Sequence, residues 1–382
     1  MNIAMIGTFP PYRGGIAHFN SALYRTLSEN HIVTAYNFIV QYPSIIFPGK
    51  TQFEEGSPIH EIPSNRVLNS VNPLSWIKTG RKIGKQKPDL ILFKYWMPFF
   101  APAFGMVSRW IKRISPSTKI LVILDNVIPH ESKFWDIPAT KYFFNVVDGY
   151  VAMSNSVKSD LLFLYPQAKV TTLAHPVYDI FGSSMDRTTA KRILGYNSTE
   201  KVILYFGFIR KYKGVDWLIR AADIIKNELS DFKIIIVGES YIDTKPYTDL
   251  IKEFGLQDIV DLKIDFIPDS DVSTYFCASD LVVLPYKSAT QSGIAQIAYH
   301  FNRSMVVTDV GGLAEIVPHG KAGLVVKPEV SEIANGIISY FQNYDQQEME
   351  TFVESYKENF SWEYFCDGLI RFSCENRGNT DG

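Results

Sequence analysis

The stretch DLVVLPYKSATQSGIAQIAYHF, residues 280–301, joins an apolar run to a helical pattern through a short loop. The apolar run Leu281–Leu284 predicts a buried strand, and the residues after the loop predict a helix. Neither the loop nor the first helical turn contains a carboxylate. Backbone N–H groups at such a helix start favour an anion, and above all a phosphate. The helix is predicted to begin at Thr290, Gln291, Ser292 and Gly293.

Strand and helix signals of this kind alternate along the rest of the chain. Strand-like runs cover residues 2–6, 32–38, 90–93, 120–124 and 149–153, and later 202–206, 233–237, 281–284 and 305–308. Helical patterns lie at residues 16–27, 154–164, 214–225, 247–254 and 330–343. This alternation predicts parallel sheets in an α/β fold. In such sheets ligands bind beyond the carboxyl ends of the strands.

A segment without periodicity divides the alternation into two parts. Residues 175–184, HPVYDIFGSS, combine a proline, a glycine and serines, which is typical of a linker. At roughly 150 residues per domain, the length of the chain also predicts two domains. We therefore predict two Rossmann-like, doubly wound domains, residues 1–178 and 185–358, that face a central cleft. An aromatic-rich helix at about residues 360–378 is expected to pack back on the first domain.

The composition excludes several classes of protein. Hydrophobic residues make up 46% of the chain and charged residues 20%, which indicates a globular protein. No run reaches about 18 apolar residues, so no transmembrane helix is predicted, and the opening MNIAMIGTF resembles a strand more than a secretion signal. The three cysteines, Cys277, Cys366 and Cys374, match neither a metal-site spacing nor a disulfide framework. We therefore expect a cytoplasmic protein.

Charge is distributed unevenly, although the formal net charge is only −2. Residues 1–180 carry 18 Lys and Arg against 11 Asp and Glu, whereas the remaining residues carry 20 against 29. The basic clusters of the first half are Lys78, Arg81, Lys82, Lys85 and Lys87, and then Arg109, Lys112, Arg113 and Lys119. They form either solvated helix faces or a contact with an anionic membrane surface, which would be the inner face. No nucleic-acid module is recognised.

Three further loops at predicted strand ends have the composition of anion-binding turns. Glycine pairs let the backbone approach a ligand, arginine binds a diphosphate in bidentate fashion, and lysine adds a point charge. Taken singly, the first loop is more simply explained as an ordinary turn, the second as an exposed basic turn, and the third as a turn followed by an acid that interacts with the helix dipole. The residues concerned are Gly14 and Gly15 in the first loop, Arg210, Lys211 and Lys213 in the second, and Gly311, Gly312 and Glu315 in the third.

Taken in order, these loops resemble the motifs of the retaining glycosyltransferases of family 4. The matching segments are PPYRGGI at residues 10–16, GFIRKYKGVD at 207–216, ASDLVVLPY at 278–286 and TDVGGLAEIVPHGKAG at 308–323. The segment NFSWE at residues 359–363 is similar to the start of the family's C-terminal helix. The resemblance covers nearly the whole chain and implies the GT-B fold, in which two Rossmann-like domains face an active-site cleft.

The resemblance implies a role for each matched position. Arg210 and Lys213 would hold the diphosphate of a nucleotide-sugar donor, whose departure cations and N–H dipoles stabilise. The expected donor is a UDP- or GDP-linked sugar, which is a substrate, so no separate cofactor is predicted. The donor would also lie against Gly14, Gly15, Thr290, Gln291, Ser292, Gly293, Gly311, Gly312 and Glu315.

The sequence departs from the family's pattern at two glutamates that usually flank the phosphate-binding turn. Ungapped alignment places Ala289 and Ile297 there, and neither side chain accepts a hydrogen bond. Gln291 or Gln296 replaces some of the contacts to sugar or ribose hydroxyls, or Gln296 is merely a polar residue on a helix flank.

A second departure concerns a histidine that many relatives carry just after the strand at residues 120–124. Asp125 stands at this place, and His130 follows in the same loop. We predict that Asp125 and His130 orient the transferred sugar or relay the acceptor proton. A lone loop histidine also has a purely structural explanation.

The sequence thus predicts a hexosyltransferase-type enzyme, a retaining glycosyltransferase of class EC 2.4. It would move a sugar to a hydroxyl of a saccharide or lipid-linked acceptor in cell-surface polysaccharide biosynthesis. No cluster with metal-ligand spacing is recognised, so metal independence is expected. The alternatives are a non-catalytic nucleotide-sugar-binding protein, which the missing glutamates favour, and a GT-B epimerase, for which acid pairs would be expected.

Overall fold

The computed structural model describes residues 1–43, 51–53, 62–128, 133–177, 181–289 and 292–375. His130, Thr290 and Gln291, which the sequence singles out, lie outside these residues. The chain divides into two compact units, Met1–His175 with Trp362–Gly382, and Pro176–Ser361. A search of the described ranges finds no helix with the length and apolar character needed to cross a membrane.

The first unit is built on a seven-stranded parallel sheet in the order β3-β2-β1-β4-β5-β6-β7. Its strands are β1 (Asn2–Ile6), β2 (Ile32–Val40), β3 (Ser64–Asn69), β4 (Leu90–Tyr95), β5 (Lys119–Leu124), β6 (Gly149–Ala152) and β7 (Val170–Thr172). Its helices are α1 (Gly15–Asn30), α2 (Pro73–Lys85), α3 (Ala101–Ile114), α4 (Asp136–Phe144) and α5 (Asn155–Leu164). β1 pairs with both β2 and β4, so the direction of winding reverses at β1.

The second unit contains a six-stranded parallel sheet in the order β10-β9-β8-β11-β12-β13. Its strands are β8 (Lys201–Phe206), β9 (Phe232–Val237), β10 (Val260–Lys263), β11 (Leu281–Leu284), β12 (Met305–Thr308) and β13 (Gly323–Val326). Its helices are α6 (Arg187–Leu194), α7 (Val215–Ile225), α8 (Lys245–Glu253), α9 (Asp269–Ala278), α10 (Gly293–His300), α11 (Leu313–Ile316), α12 (Val330–Asn343) and α13 (Gln346–Tyr356). The winding reverses at β8, which pairs with β9 and β11.

The central strands are apolar because helices cover both faces of a parallel sheet. Every residue of β4 is buried, including its lysine, and every residue of β11 is buried as well. Burial of such strands supplies the main favourable term for folding, at roughly 25 cal/mol per Å² of apolar surface. The buried central strands therefore form the framework of each unit.

The chain returns to the first unit with α14 (Trp362–Glu375). The ring of Phe19 on α1 lies 5.0 Å from that of Trp362 and 5.7 Å from that of Phe365. The boundaries between the two units lie after residues 175 and 361, as judged by the contacts within each unit. The predicted domain limits, residues 1–178 and 185–358, are based on the composition of the sequence.

A buried charge network fixes the start of β11 against β8. The carboxylate of Asp280 accepts a hydrogen bond from the Val202 N–H at 2.7 Å and lies 2.8 Å from the Lys191 ammonium. Arg187 bridges Asp280, at 3.2 Å, and Glu350 on α13. Charged groups are costly to bury unless they are paired. The network therefore favours an arrangement in which α6, β8, the start of β11 and α13 lie together.

Candidate functional site

The loops that follow β8 and β11 leave the second sheet where its winding reverses, which is the usual ligand position in such sheets. The backbone N–H of Lys287, after β11, donates to the Tyr212 carbonyl, after β8, at 2.7 Å. Gly214 has φ 70°, and a Cβ there would lie 1.8 Å from the Pro285 carbonyl oxygen. Only glycine permits this close approach. The two predicted phosphate-binding loops are therefore in direct contact.

Arg210 and Lys213 both lie in the loop after β8. The Arg210 guanidinium is 5.2 Å from the centre of the Tyr241 ring, and Tyr241 follows β9. The Lys213 ammonium lies 3.6 Å from the centre of the Tyr286 ring, which follows β11. The structure thus places both predicted diphosphate ligands at one edge of the sheet, each beside an aromatic ring.

Desolvation lowers the pKa of Lys213 to about 8. Tyr212 opposes this shift, and the positive charge of Arg210 adds to it. Lys213 remains mainly protonated at pH 7, by about ten to one. A desolvated cation gains more from an arriving anion than a solvated one, because the surrounding dielectric is lower.

The start of α10 lies beside this loop. Gly293 is the first helical residue, and Ser292 precedes it. Among the described residues the Ser292 side chain does not cap the helix; its hydroxyl pairs with the Tyr286 hydroxyl at 3.1 Å. A Cβ on Gly207, directly after β8, would approach the Ile294 side chain to 3.2 Å. The first turn of α10 therefore faces the loop that carries Arg210.

The loop after β12 is joined to the same edge. The Thr308 hydroxyl at the end of β12 donates to the Tyr286 carbonyl at 2.6 Å. Gly311 has φ 52°, and Gly312 precedes the short helix α11. Glu315 is exposed on α11. The predicted residues of this loop are thus carried to the same sheet edge, one strand further from β8 than the start of α10.

Ala289 and Ile297, which the ungapped alignment places opposite two glutamates of glycosyltransferase family 4, are both buried. Ala289 is 9% exposed and Ile297 is 5% exposed. Gln296 on α10 is buried at 1% exposure. Its side-chain oxygen has no hydrogen-bond partner in the part of the chain that the structure describes. No acidic side chain replaces either glutamate at these positions.

In the first unit, Gly14 and Gly15 lie at the carboxyl end of β1, where the winding reverses. Gly14 has φ 104°, and Gly15 is the first residue of α1. Apart from Gly14 and its two chain neighbours, no described residue has an atom within 4 Å of the position that a Gly14 Cβ would occupy. Space and backbone conformation at Gly14 therefore agree with close approach of a ligand.

Asp125, directly after β5, forms an ion pair with Lys94, and the two atoms are 2.8 Å apart. Lys94 is only 3% exposed and lies 3.5 Å from the centre of the Phe19 ring. Desolvation lowers the pKa of Lys94, against the opposing effect of Asp125. The predictions from sequence did not include Lys94. A lysine within the apolar run LILFKYW was the available signal, because lysine is rarely buried without a partner.

The described ranges contain no group of three or more His, Cys, Asp or Glu side chains that could hold a metal ion. The acidic pair Asp269 and Asp271 lies in the first turn of α9. Carboxylates there interact favourably with the helix dipole, which explains the pair without a metal.

Two parallel sheets of seven and six strands, each wound in both directions, define a protein of the GT-B class. Solved structures agree with this classification. The Anabaena protein HepE in complex with UDP aligns with a TM-score of 0.74 at 14% identity, over 98% of this chain and all of HepE. Sucrose-phosphate synthase from Thermosynechococcus elongatus aligns with a TM-score of 0.72 at 16% identity, over 98% of both chains. The predicted GT-B fold is thus confirmed.

Sequence comparisons relate the chain to known glycosyltransferases. Residues 200–343, within the second unit, match the family model of the glycosyl transferases group 1. The chain is 28% identical to the D-inositol 3-phosphate glycosyltransferase of Rhodococcus erythropolis over 207 residues, which are 52% of this chain and 47% of the relative. It is 27% identical to an uncharacterized glycosyltransferase of Methanocaldococcus jannaschii over 56% of each chain. The chain therefore spans about half the length of the curated relatives that it matches.

Proposed function

We propose that the protein is a retaining glycosyltransferase that uses a nucleotide-diphosphate sugar as donor. The observation that carries the proposal is the direct contact between the loops after β8 and β11, which brings Arg210, Lys213 and the start of α10 to one edge of the second sheet. Two cations and a helix N-terminus suit a diphosphate better than any neutral ligand. The match of residues 200–343 to the glycosyl transferases group 1 supports the same activity.

In the proposed reaction the bond between the anomeric carbon and the donor phosphate oxygen breaks, and the acceptor hydroxyl forms the new glycosidic bond. The acceptor hydroxyl attacks the face of the anomeric carbon that the diphosphate leaves, so the configuration is retained. Its proton passes to an oxygen of the departing diphosphate. Arg210 and Lys213 stabilise the charge that develops on the leaving group, which is typically the largest single catalytic contribution. No metal ion is required in this scheme, because the two cations take its place.

UDP is the proposed nucleotide, with GDP as the alternative. The support for UDP is the solved structure of HepE, whose complex contains UDP. In the first unit, Gly14 and Gly15 would lie against the donor, and Asp125 with His130 would orient the sugar. The acceptor would be a saccharide or a lipid-linked saccharide in cell-surface polysaccharide biosynthesis.

The charge of the first unit supports an acceptor at an anionic membrane. Gly80 allows α2 and α3 to pack closely, since a Cβ there would lie 2.7 Å from the Val107 carbonyl oxygen. Four cations of α2 are exposed: Lys78, Arg81, Lys82 and Lys85. Two of them also contact neighbours, since Lys82 donates to the Asn65 side chain at 3.4 Å and Arg81 lies over the Trp110 ring. On α3, Lys112 pairs with Asp148 at 2.7 Å, and Arg109 donates to the Tyr142 carbonyl. The exposed face of α2, with Leu74 67% exposed at its start, is therefore the proposed contact with the inner face of the membrane.

A non-catalytic nucleotide-sugar-binding protein is the second candidate. Ala289 and Ile297 favour it, because apolar side chains stand where relatives carry glutamates. A panel of UDP- and GDP-sugars, with saccharide and lipid-linked acceptors, separates the two candidates. Transfer to an acceptor with retained anomeric configuration supports the enzyme. Binding of a nucleotide sugar without transfer or hydrolysis supports the binding protein, and a change of the donor's own stereochemistry supports an epimerase.

A further inference from the structure

Tyr286 is the residue at which the elements of the candidate donor site meet. It follows β11 and is 1% exposed. Its ring lies under the Lys213 ammonium at 3.6 Å, its hydroxyl pairs with the Ser292 hydroxyl at 3.1 Å, and its carbonyl accepts the bond from Thr308. One side chain thus connects the loop after β8 with the residue that precedes α10.

The Lys213 ammonium lies 3.6 Å from the centre of the Tyr286 ring and 5.4 Å from that of the Tyr212 ring. Among the described residues no carboxylate forms an ion pair with it, and the charges that affect its pKa belong to Tyr212 and Arg210. An aromatic face attracts a cation more strongly when both are desolvated. A ring also leaves the charge available to an arriving anion, whereas a carboxylate would neutralise it.

The hydroxyl of Tyr286 has a separate task. It pairs with the Ser292 hydroxyl at 3.1 Å, and the Ser292 side chain makes no capping hydrogen bond to the described backbone N–H groups at the start of α10. The Ala295 N–H already donates to the Ser292 carbonyl at 3.2 Å. The N–H groups earlier in the turn, at Gly293 and Ile294, are therefore the donors proposed for an external anion.

We propose that Tyr286 is a positioning residue for the donor diphosphate, because its ring holds the Lys213 ammonium while its hydroxyl holds Ser292 off the start of α10. This inference rests on the proposed function and deepens it. Tyr286 need not touch the donor. It acts through Lys213 and Ser292, and so it would set how tightly the diphosphate is bound.

A double-mutant cycle on the full chain tests the inference, with UDP and GDP as probes in calorimetric titrations. Tyr286→Leu is expected to weaken binding of the tighter nucleotide about tenfold, since it removes the cation–π contact in a buried site. In a Lys213→Met background the same change is expected to have an effect of less than about twofold, because the contact is already absent. Tyr286→Phe keeps the ring and is expected to cost only about two- to fivefold.

Tyr340→Phe is the matched control. Tyr340 is another fully buried tyrosine of the second unit, and its hydroxyl donates to the Asp280 carbonyl at 3.0 Å. Loss of this hydroxyl is expected to leave nucleotide affinity unchanged, which separates a positioning role from general loosening of the core.

If Tyr286→Leu does not fold, the cycle of Tyr286→Phe with Ser292→Ala replaces it, and the double variant is expected to bind no more weakly than the weaker single variant.

If the losses of nucleotide affinity in Tyr286→Leu and Lys213→Met multiply in the double variant, the two side chains act independently and the inference is overturned. Wild-type affinity in Tyr286→Leu would overturn it as well. Arg210→Ala distinguishes this outcome from failure of the proposed function. Loss of affinity in Arg210→Ala together with unchanged affinity in the Tyr286 variants removes only the inference. Unchanged affinity in Arg210→Ala contradicts the proposed site itself.

Discussion

Arg210 and Lys213 share a loop, yet their surroundings differ. Arg210 is half-buried beside Tyr241, whereas desolvation lowers the pKa of Lys213. A guanidinium keeps its charge at every accessible pH and binds two phosphate oxygens in a fixed geometry. Lysine is a point charge whose protonation depends on its environment. The two residues therefore make separable predictions.

Arg210→Ala is expected to reduce kcat for sugar transfer by about 100-fold or more, because it removes a cation that stabilises the leaving group. The measurement is initial-rate kinetics with the preferred donor. Arg192→Ala, on the exposed side of α6, is the control and is expected to keep the wild-type rate. A near-normal kcat in Arg210→Ala would contradict the assigned role.

Lys213 predicts a pH dependence of donor binding. Burial lowers its pKa to about 8, so the ammonium is present below that pH and is lost as the pH rises above it. The dissociation constant for UDP is therefore expected to increase above about pH 8, by up to about tenfold per pH unit. Lys213→Arg keeps the charge throughout this range and is expected to flatten the profile. A wild-type profile that is flat up to pH 10 would contradict a role for the Lys213 charge.

Local chemistry decides which single residues can be found from sequence. Arg210 and Lys213 stand out because their loop is basic and follows an apolar strand. Tyr286 and Lys94 do not, since their roles depend on contacts between separate elements. Tyr286 meets Lys213 only because the loops after β8 and β11 touch, and Lys94 meets Asp125 only because β4 pairs with β5. Such partners follow from the topology rather than from the local pattern.

At the scale of elements, all nine predicted strands are present with small changes in their limits. The predicted strands miss β3, β7, β10 and β13, which are the outermost strands of the two sheets. An outer strand is covered less completely, so its residues are mixed in polarity: in β3 only one of six residues is buried. The strand signal of β7 is weaker still, because this strand has only three residues. The apolar-run signal is therefore strong for the inner strands and weak at the edges.

Contact between the loops after β8 and β11 is testable through two glycines with similar backbone conformations. Gly214 has φ 70° and Gly255 has φ 63°, so alanine at either position is expected to cost about 1–2 kcal/mol from the backbone alone. Only at Gly214 would the new Cβ meet a neighbouring loop, at 1.8 Å from the Pro285 carbonyl oxygen. Gly214→Ala is therefore expected to lose much more UDP affinity than Gly255→Ala in parallel calorimetric titrations. Equal affinities would show that the loop contact does not shape the site.

The two units of the chain differ in the features that bear on function. The second unit carries the match to the glycosyl transferases group 1 and the two cations of the candidate donor site. The first unit carries the excess of basic residues. The sequence pattern predicts this division, because the alternation of strands and helices restarts after the linker at residues 175–184. The pattern does not identify the transferred sugar or the acceptor, because the shape of the pocket and individual hydrogen bonds determine which molecules bind.

Binding to anionic vesicles tests the role of the first unit. Replacing Lys78, Arg81, Lys82 and Lys85 by glutamine is expected to weaken binding to phosphatidylglycerol vesicles by about 100- to 1,000-fold in a sedimentation assay, at about 1 kcal/mol per cation. The control replaces four exposed cations of the second unit, Arg192, Arg220, Lys252 and Lys321. Equal losses in the two quadruple variants would leave the cations of α2 as a solvated face.

A crystal structure of the protein with bound UDP or GDP tests the candidate donor site most directly. The diphosphate is expected to lie within hydrogen-bond distance of Arg210, Lys213 and the first backbone N–H groups of α10. A diphosphate bound away from the carboxyl ends of β8 and β11 would contradict the proposed site.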